Sequence, residues 1–410
     1  MIRLLVATLG LLAMLCGCAT IHPIQTRDLA PVLRSCSNRF ERVLGAPDQF
    51  RAQVLIAEVV TNRWGRPALR RFGYRVDAEY FYPASSIKLC AAVAALQTAE
   101  KLQGQASTSD LLDVPVEIAP LFAGDPWQTK DAGNLQGGCI TVAQEMRKLA
   151  LVSDNQAFNR FYDLVGHEEL NRSMHALGLG SVVINHRLSE SRAIPDQRAS
   201  AAVSFRVPNA GPVMVPALAS TLMLTNRGNG LLVGTGYLKS GQLVSKPMDF
   251  SGRNGISLVD LQSLLIKLAR SDIDLGTPPL RMSASHRARL LQAMTEYPRE
   301  STNPIYAAKT YGDDYSKFLL PGIRRIFPSM RPGERIEVTG KIGRAYGFTV
   351  ENSCVHNPAN GRTVFVTAVL YTNADGVLND DNYEYETVAD PFFANLGELV
   401  ARKWLNDSAR

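Results

Sequence analysis

The order of sequence patterns predicts an α/β chain of the α+β kind, an antiparallel five-stranded sheet flanked by helices with an all-α lobe beside it. Three observations lead there. Strand-like runs stand near both ends of the chain, helix-like periodicities fill most of the interval, and no internal repeat interrupts them. The two ends are therefore expected to build one sheet and the middle a helical lobe.

The first strand signal is the interleaving of Val54, Ile56, Glu58 and Val60 with Leu55, Ala57 and Val59. A run apolar on nearly both faces suits a central strand covered on each side. A turn at 63–67 and a returning strand over 69–76 complete a hairpin. Upstream, 29–44 is expected as one helix with Pro31 in its first turn and Gly45-Ala46-Pro47 at its end. After the hairpin, 89–96 is apolar all round, as in a helix buried in a large domain. Residues 107–138 are rich in Pro and Gly and read as loop.

Thr141-Val142-Ala143-Gln144 has the form of a capping box and opens a helix that stops at Ser153-Asp154-Asn155. Two more helices follow over 156–165 and 168–177, each closed by glycine. Residues 191–255, rich in Gly, Pro, Ser and Asn, read as an insertion on the surface of the main domain, and helices resume over 256–270 and 283–294. Strand signals return at 336–342, 346–350 and 363–371, with Asn360-Gly361 as a hairpin dipeptide, and 391–404 is a closing helix.

With 410 residues, 46% of them hydrophobic, the chain can bury a large core. Its net charge of +6 comes from dispersed basic residues with no basic run interleaved with aromatics, which argues against nucleic acid as a partner and leaves mild attraction to anionic substrates or envelope surfaces. At the N-terminus, Arg3, the apolar run 4–15 and Leu15-Cys16-Gly17-Cys18 form a targeting segment too short to span a membrane permanently. Its ending resembles the lipobox of bacterial lipoproteins, which implies cleavage before Cys18, a lipid on that thiol and, with Ala19 next, delivery to the outer membrane facing the periplasm. The expected organisation is a signal peptide over 1–17, a tether over 18–30 and one domain over 31–408. Cys36, Cys90, Cys139 and Cys354 allow three disulfide pairings, of which Cys90 with Cys139 is the expected neighbour pair. Their spacing fits no zinc pattern, and no cofactor is implied.

The chemistry concentrates at Phe81 to Val93. Ser85 stands at a helix entry, and Lys88, three residues on, shares its face. A serine becomes a nucleophile when a base takes its proton, and a desolvated lysine with a depressed pKa is such a base. Two further motifs follow in order: Ser153-Asp154-Asn155 at the break between two helices, and Lys341-Ile342-Gly343 on a late strand. Taken singly, each has a plain structural reading, as a helix start, an N-cap and a solvated strand lysine.

Together, in this order and these contexts, they resemble the penicillin-recognising serine hydrolases, the serine β-lactamases and D,D-peptidases or penicillin-binding proteins. The closest likeness is to class A β-lactamases, through Pro83-Ala84-Ser85-Ser86-Ile87-Lys88 and Leu151-Val152-Ser153-Asp154-Asn155-Gln156-Ala157. The resemblance implies a β-lactamase/transpeptidase-like fold and the following roles. Ser85 attacks a carbonyl to form an acyl-enzyme, Lys88 accepts or relays its proton, and Ser153 returns a proton to the leaving nitrogen. Asn155 binds the substrate's side-chain amide and Lys341 its carboxylate. Gly343 completes the third motif, and the backbone N–H groups of Ser85 and Arg344 form the oxyanion hole.

Two departures stand out. Ile342 occupies the place of a Thr or Ser hydroxyl, a loss of one charge-assisted hydrogen bond of about 1.5 to 3 kcal/mol. In the loop Asn185 to Ser191, Arg187 matches the family arginine, but Ser189 falls where the deacylating glutamate is expected; Glu190, one further on, is the catalytic candidate for that role if the loop shifts. The sequence thus reads as a lipid-anchored, monomeric serine hydrolase acting on a β-lactam or peptidoglycan-like small substrate. A D,D-peptidase or esterase on the same scaffold, and a non-catalytic envelope-binding lipoprotein, are the alternatives.

Overall fold

The computed structural model describes residues 24–106 and 110–406. The expected signal peptide and Cys18, expected to carry a lipid, lie outside the described residues. Among the described residues, no helix is long and apolar enough to cross a membrane.

The main sheet is built from both ends of the chain, as the pattern predicts. Its strands are β1 (Arg27–Asp28), β2 (Gln53–Thr61), β3 (Pro67–Tyr74), β4 (Glu337–Gly340), β5 (Gly343–Ala345), β6 (Phe348–His356) and β7 (Thr363–Tyr371). Their spatial order is β1-β3-β2-β7-β6-β4, with β5 also paired to β6. The main helices are α1 (Lys88–Ala106), α2 (Val142–Leu151), α3 (Asn155–Val165), α4 (His167–Ala176), α5 (Leu258–Ala269), α6 (Ala284–Thr295) and α7 (Asp390–Val400). Strand β2 lies between β3 and β7, antiparallel to both. Its two apolar faces have separate destinations. Leu55 and Ala57 join the core shared with α1 and the helical lobe, whereas Val54 and Ile56 join the core beneath α7. A strand covered on both faces has no solvent side to keep polar.

The sheet corrects the expectation of five purely antiparallel strands: it has seven, and it is mixed. The extra edge strand β1 runs parallel to β3, with Asp28 opposite Gly73. A Cβ at position 73 would stand 2.9 Å from Thr26 Oγ1, so glycine there lets the upstream chain lie close. The stretch expected as a tether over 18–30 is accordingly part of the fold from Arg27 onward. The last motif strand is also split. Gly340 pairs with Ser353 and Gly343 with Val350 in one register; between them the strand is interrupted, with Lys341 N still donating to Asn352 O at 3.0 Å.

The single helix expected over 29–44 is broken into Ala30–Arg34, a 3₁₀ turn at Ser37–Arg39 and Glu41–Leu44. The break at Ser35-Cys36 turns Phe40 edge-on to Phe392 of α7, with centroids 5.5 Å apart. Among the described residues the four cysteines are free, so the expected Cys90–Cys139 neighbour pair is not joined. Cys90 is buried within α1, and Cys139 turns its thiol to Gly137 O in the loop before α2.

Residues 191–255 are stitched into the domain. Val203–Phe205 pairs with Val116–Ile118, Leu232–Val233 pairs with Met248–Asp249, and Gly236–Lys239 runs parallel to Val377–Leu378 far down the chain. Phe205, Val233 and Phe250 reach the core of the helical lobe. Arg51, just before β2, holds this segment by donating to Gly230 O at 2.6 Å and Leu232 O at 3.3 Å.

Candidate active site

The helix entry that carries Ser85 is a 3₁₀ turn, Ala84–Ile87, that runs straight into α1. From Leu89 to Leu96 every side chain is buried, so the helix is fixed from all sides and Lys88 enters the interior with it. Strand β5 lies directly against that turn. A Cβ on Gly343 would stand 2.5 Å from Pro83 O and 2.7 Å from the backbone nitrogens of Ser85 and Ser86. The missing side chain at 343 therefore allows the backbone of Arg344 to sit beside that of Ser85, the placement an oxyanion hole needs.

The second motif closes the floor. Asp154 caps α3 by accepting from Ala157 N at 2.8 Å, which forces the chain to turn at Ser153, where φ is +58°. That turn points both ends of Ser153 at the lysines. Lys88 Nζ donates to Ser153 O and, at 2.6 Å, to Asn155 Oδ1, with Ser153 Oγ at 3.4 Å. Lys341 Nζ donates to Ser153 Oγ at 2.8 Å and to Ile342 O at 2.9 Å. Burial lowers the Lys88 amine to about 7, against the upward pull of Asp154. Burial, then the charge of Lys88, holds Lys341 well below its ordinary value, with Glu351 pulling the other way. A neutral buried amine beside a hydroxyl can accept and return a proton at neutral pH.

These groups open onto a cleft of about 1030 Å³ lined by Ser85, Asn155, Ser189, Glu190 and Arg344 among others. Ser85 Oγ makes no hydrogen bond among the described residues and is left to the cleft. Six non-glycine residues on its walls have positive φ, among them Ala84, Ser189 and Tyr346 at 48°, 55° and 54°. Backbone held in this region costs free energy and persists where the surroundings impose it, a pattern common at reactive sites.

The structure thus brings together Ser85, Lys88, Ser153, Asn155, Lys341, Gly343 and the backbone of Arg344. The side chain of Arg344 turns away, ion-paired with Asp390 and stacked on Phe318 and Tyr385. Glu190 is not among the convergent groups. Its carboxylate pairs with Arg192 at 3.2 Å and accepts from Asn159 Nδ2 at 3.4 Å. Ser189 takes the inward place instead, its Oγ accepting from Asn155 Nδ2 at 2.6 Å. The Asn155 amide is engaged at both ends, by Lys88 and by Ser189. Arg187 anchors this loop through a buried ion pair with Asp163 of α3 and lies over the Tyr162 ring.

Sequence reasoning missed the outer walls. Tyr82 stacks on His186 and meets Tyr346 edge-on at 5.2 Å, Arg253 projects from the end of the inserted stretch, Tyr383 comes from the loop before α7, and Tyr385 opens the π-helical turn that leads into it. Only contacts distant in sequence place them there, and no local pattern marks them.

Residues 42–224 match the model of the Beta-lactamase enzyme family. That stretch contains the Ser85 and Ser153 motifs. No curated protein matches the chain. Among solved structures, the chain is similar to a point mutant of PBP-A in its acyl-enzyme complex with penicillin G, at 16% identity and a TM-score of 0.49 over 93% of this chain and 98% of that one. A β-lactamase from Burkholderia phymatum aligns at 15% identity and a TM-score of 0.49 over 93% and 100%. One from Desulfarculus baarsii DSM 2075 aligns at 16% and 0.47 over 90% and 97%.

Proposed function

We propose that this chain is a penicillin-recognising serine hydrolase that works through an acyl-enzyme on Ser85 and releases it slowly. The observation that carries the reading is the meeting of the Lys88 and Lys341 amines on the Ser153 hydroxyl, beneath the cleft that Ser85 faces. Neutral Lys88 takes the Ser85 proton as Oγ attacks the carbonyl carbon, and the N–H groups of Ser85 and Arg344 receive the oxyanion. Ser153, recharged by the lysines, delivers a proton to the leaving nitrogen, and Lys341 attracts a substrate carboxylate. With Ile342 in the third motif, that carboxylate has no hydroxyl partner there.

Between a class A-like β-lactamase and a D,D-peptidase or penicillin-binding protein, the environment of Glu190 favours the latter. The Glu190 carboxylate is engaged by Arg192 and Asn159, and Ser189, which takes the place beside Asn155, offers no carboxylate in its stead. From the amino-terminal sequence alone, we also propose that Cys18 carries a lipid and that the domain works in the cell envelope.

A fluorescent penicillin tests the reading. Persistent labelling of wild type, absent in Ser85→Ala, is expected, with an intact mass raised by one penicillin. Rapid hydrolysis of a chromogenic cephalosporin would return the chain to the β-lactamases, and absence of both labelling and hydrolysis would end the acyl-enzyme reading for β-lactams.

A further inference from the structure

The cleft is lined by several cations, and their partners differ. Arg187 is paired with Asp163, Arg192 with Asp125 and Glu190, and Arg344 with Asp390. Arg253 lines the same cleft half-buried, and its guanidinium has no hydrogen-bond or carboxylate partner among the described residues. None of the lining carboxylates, Glu190, Asp249 or Asp381, forms an ion pair with it among the described residues: Glu190 is held as above, and Asp249 accepts from Ser251 N at 2.8 Å.

The backbone that presents Arg253 is rigidly held. Arg253 N donates to Phe250 O at 3.0 Å, and Arg253 O accepts from Asn226 Nδ2 at 2.8 Å. The next residue, Asn254, is fully buried. Its Oδ1 receives the backbone N–H groups of Asn185 and His186, and its carbonyl receives the Tyr80 hydroxyl. The arginine thus rides on the same framework as the Ser189 loop. The charge of Arg253 acts on Tyr80, Tyr82 and His186. His186 is itself kept neutral, lowered to about 4 chiefly by burial, so it adds no competing cation.

We propose that Arg253 is an anion-binding residue for a carboxylate carried on the acyl side of the substrate, away from the carbonyl that Ser85 attacks. The inference rests on the acyl-transfer reading of Ser85 for the identity of the ligand, and on the unpaired, pre-positioned guanidinium for the site. A planar fork of N–H donors matches a carboxylate in two parallel hydrogen bonds, and leaving it unpaired in a partly desolvated cleft is costly. The room is sufficient, because the cleft of about 1030 Å³ reaches from Ser85 to Tyr237, Lys239 and Asp381 on the far wall. The substrate class is therefore an extended acyl donor with a distal carboxylate, such as an acidic peptide.

Calorimetric titration of the full chain bearing Ser85→Ala tests this without needing chemistry. The ligands are monothioesters of linear dicarboxylic acids of increasing length, each compared with its distal carboxamide. At the best length, the carboxylate is expected to bind about tenfold tighter than the amide, one charge-assisted contact's worth. Adding Arg253→Gln should bring that ratio to about one, Arg253→Lys should keep part of it, and thermal unfolding should show that both remain folded. A ratio of one at every length in the Ser85→Ala chain, or a ratio unchanged by Arg253→Gln, overturns the proposal. If the preference is present while wild type never becomes acylated, the anion site stands and the acyl-enzyme reading falls.

Discussion

Two amines converge on Ser153 Oγ, and charging both at once is opposed by their mutual repulsion as well as by burial. On the proposed acyl-enzyme reading, the protonation of Lys88, lowered to about 7 by burial against the pull of Asp154, controls acylation. Below that pH the amine carries a proton and accepts none. The acylation rate by a penicillin should therefore fall about tenfold per pH unit on the acid side and level off on the alkaline side. Asp154→Asn keeps the helix cap, since asparagine caps well, yet removes the charge that holds the Lys88 value up. Its midpoint should move to lower pH in a labelling-rate profile. A profile flat across neutrality, or a midpoint unmoved by Asp154→Asn, would remove Lys88 as the proton acceptor. Ser85, Lys88, Ser153 and Lys341 were all legible in the sequence, because residue type and helix spacing are local properties. The engagement of Glu190 with Arg192 and Asn159 was not, because it depends on how the loop after Arg187 closes on α3.

Close approach of β5 to the 3₁₀ turn depends on Gly343. Gly343→Ala would drive a methyl group against Pro83 O and the Ser85 N–H, so the strand must retreat from the oxyanion position. Acylation should drop about 100-fold, the usual cost of losing one oxyanion donor, while circular dichroism retains the fold. An unaltered rate would mean that Arg344 N plays no part. On the neighbouring loop, Asp163→Ala strands the buried Arg187 guanidinium and removes the acceptor of Ala201 N. Urea unfolding should show a loss of about 3 to 5 kcal/mol. At this scale the helices were well foretold, because Thr141, Asp154, Ser257 and Ser283 each cap the helix behind them through the N–H three residues on. Strand β1 and the broken 29–44 segment escaped detection, since each is fixed by partners distant in sequence, Gly73 in one case and Phe392 in the other.

The inserted 191–255 stretch is a wall of the cleft, and Arg51 is its principal tie to the sheet. Arg51 also donates to Tyr80 O at 3.2 Å, so one side chain links the strand entry, the approach to Ser85 and the insertion. Arg51→Ala should leave the core packed and loosen the 226–250 segment. Limited proteolysis should then cut there markedly faster than in wild type, and an equal rate would show that the strand pairs with 376–378 suffice. Composition identified this stretch as distinct, but it read as surface. Its buried anchors, Phe205, Val233 and Phe250, are single apolar residues among Gly, Ser and Asn, too sparse to give a period.

The main sheet joins residues 53–74 to residues 337–371, with the helical lobe spliced between them. During synthesis, the nucleophile, its first lysine and the Ser153 turn all leave the ribosome well before Lys341 and Gly343. On the proposed reading, a nascent chain that has not yet delivered its late strands has neither the second amine nor the oxyanion wall, so its serine is expected to be inert. Reactivity would then arrive only when the fold is nearly finished, sparing a half-made enzyme from modifying itself or its neighbours.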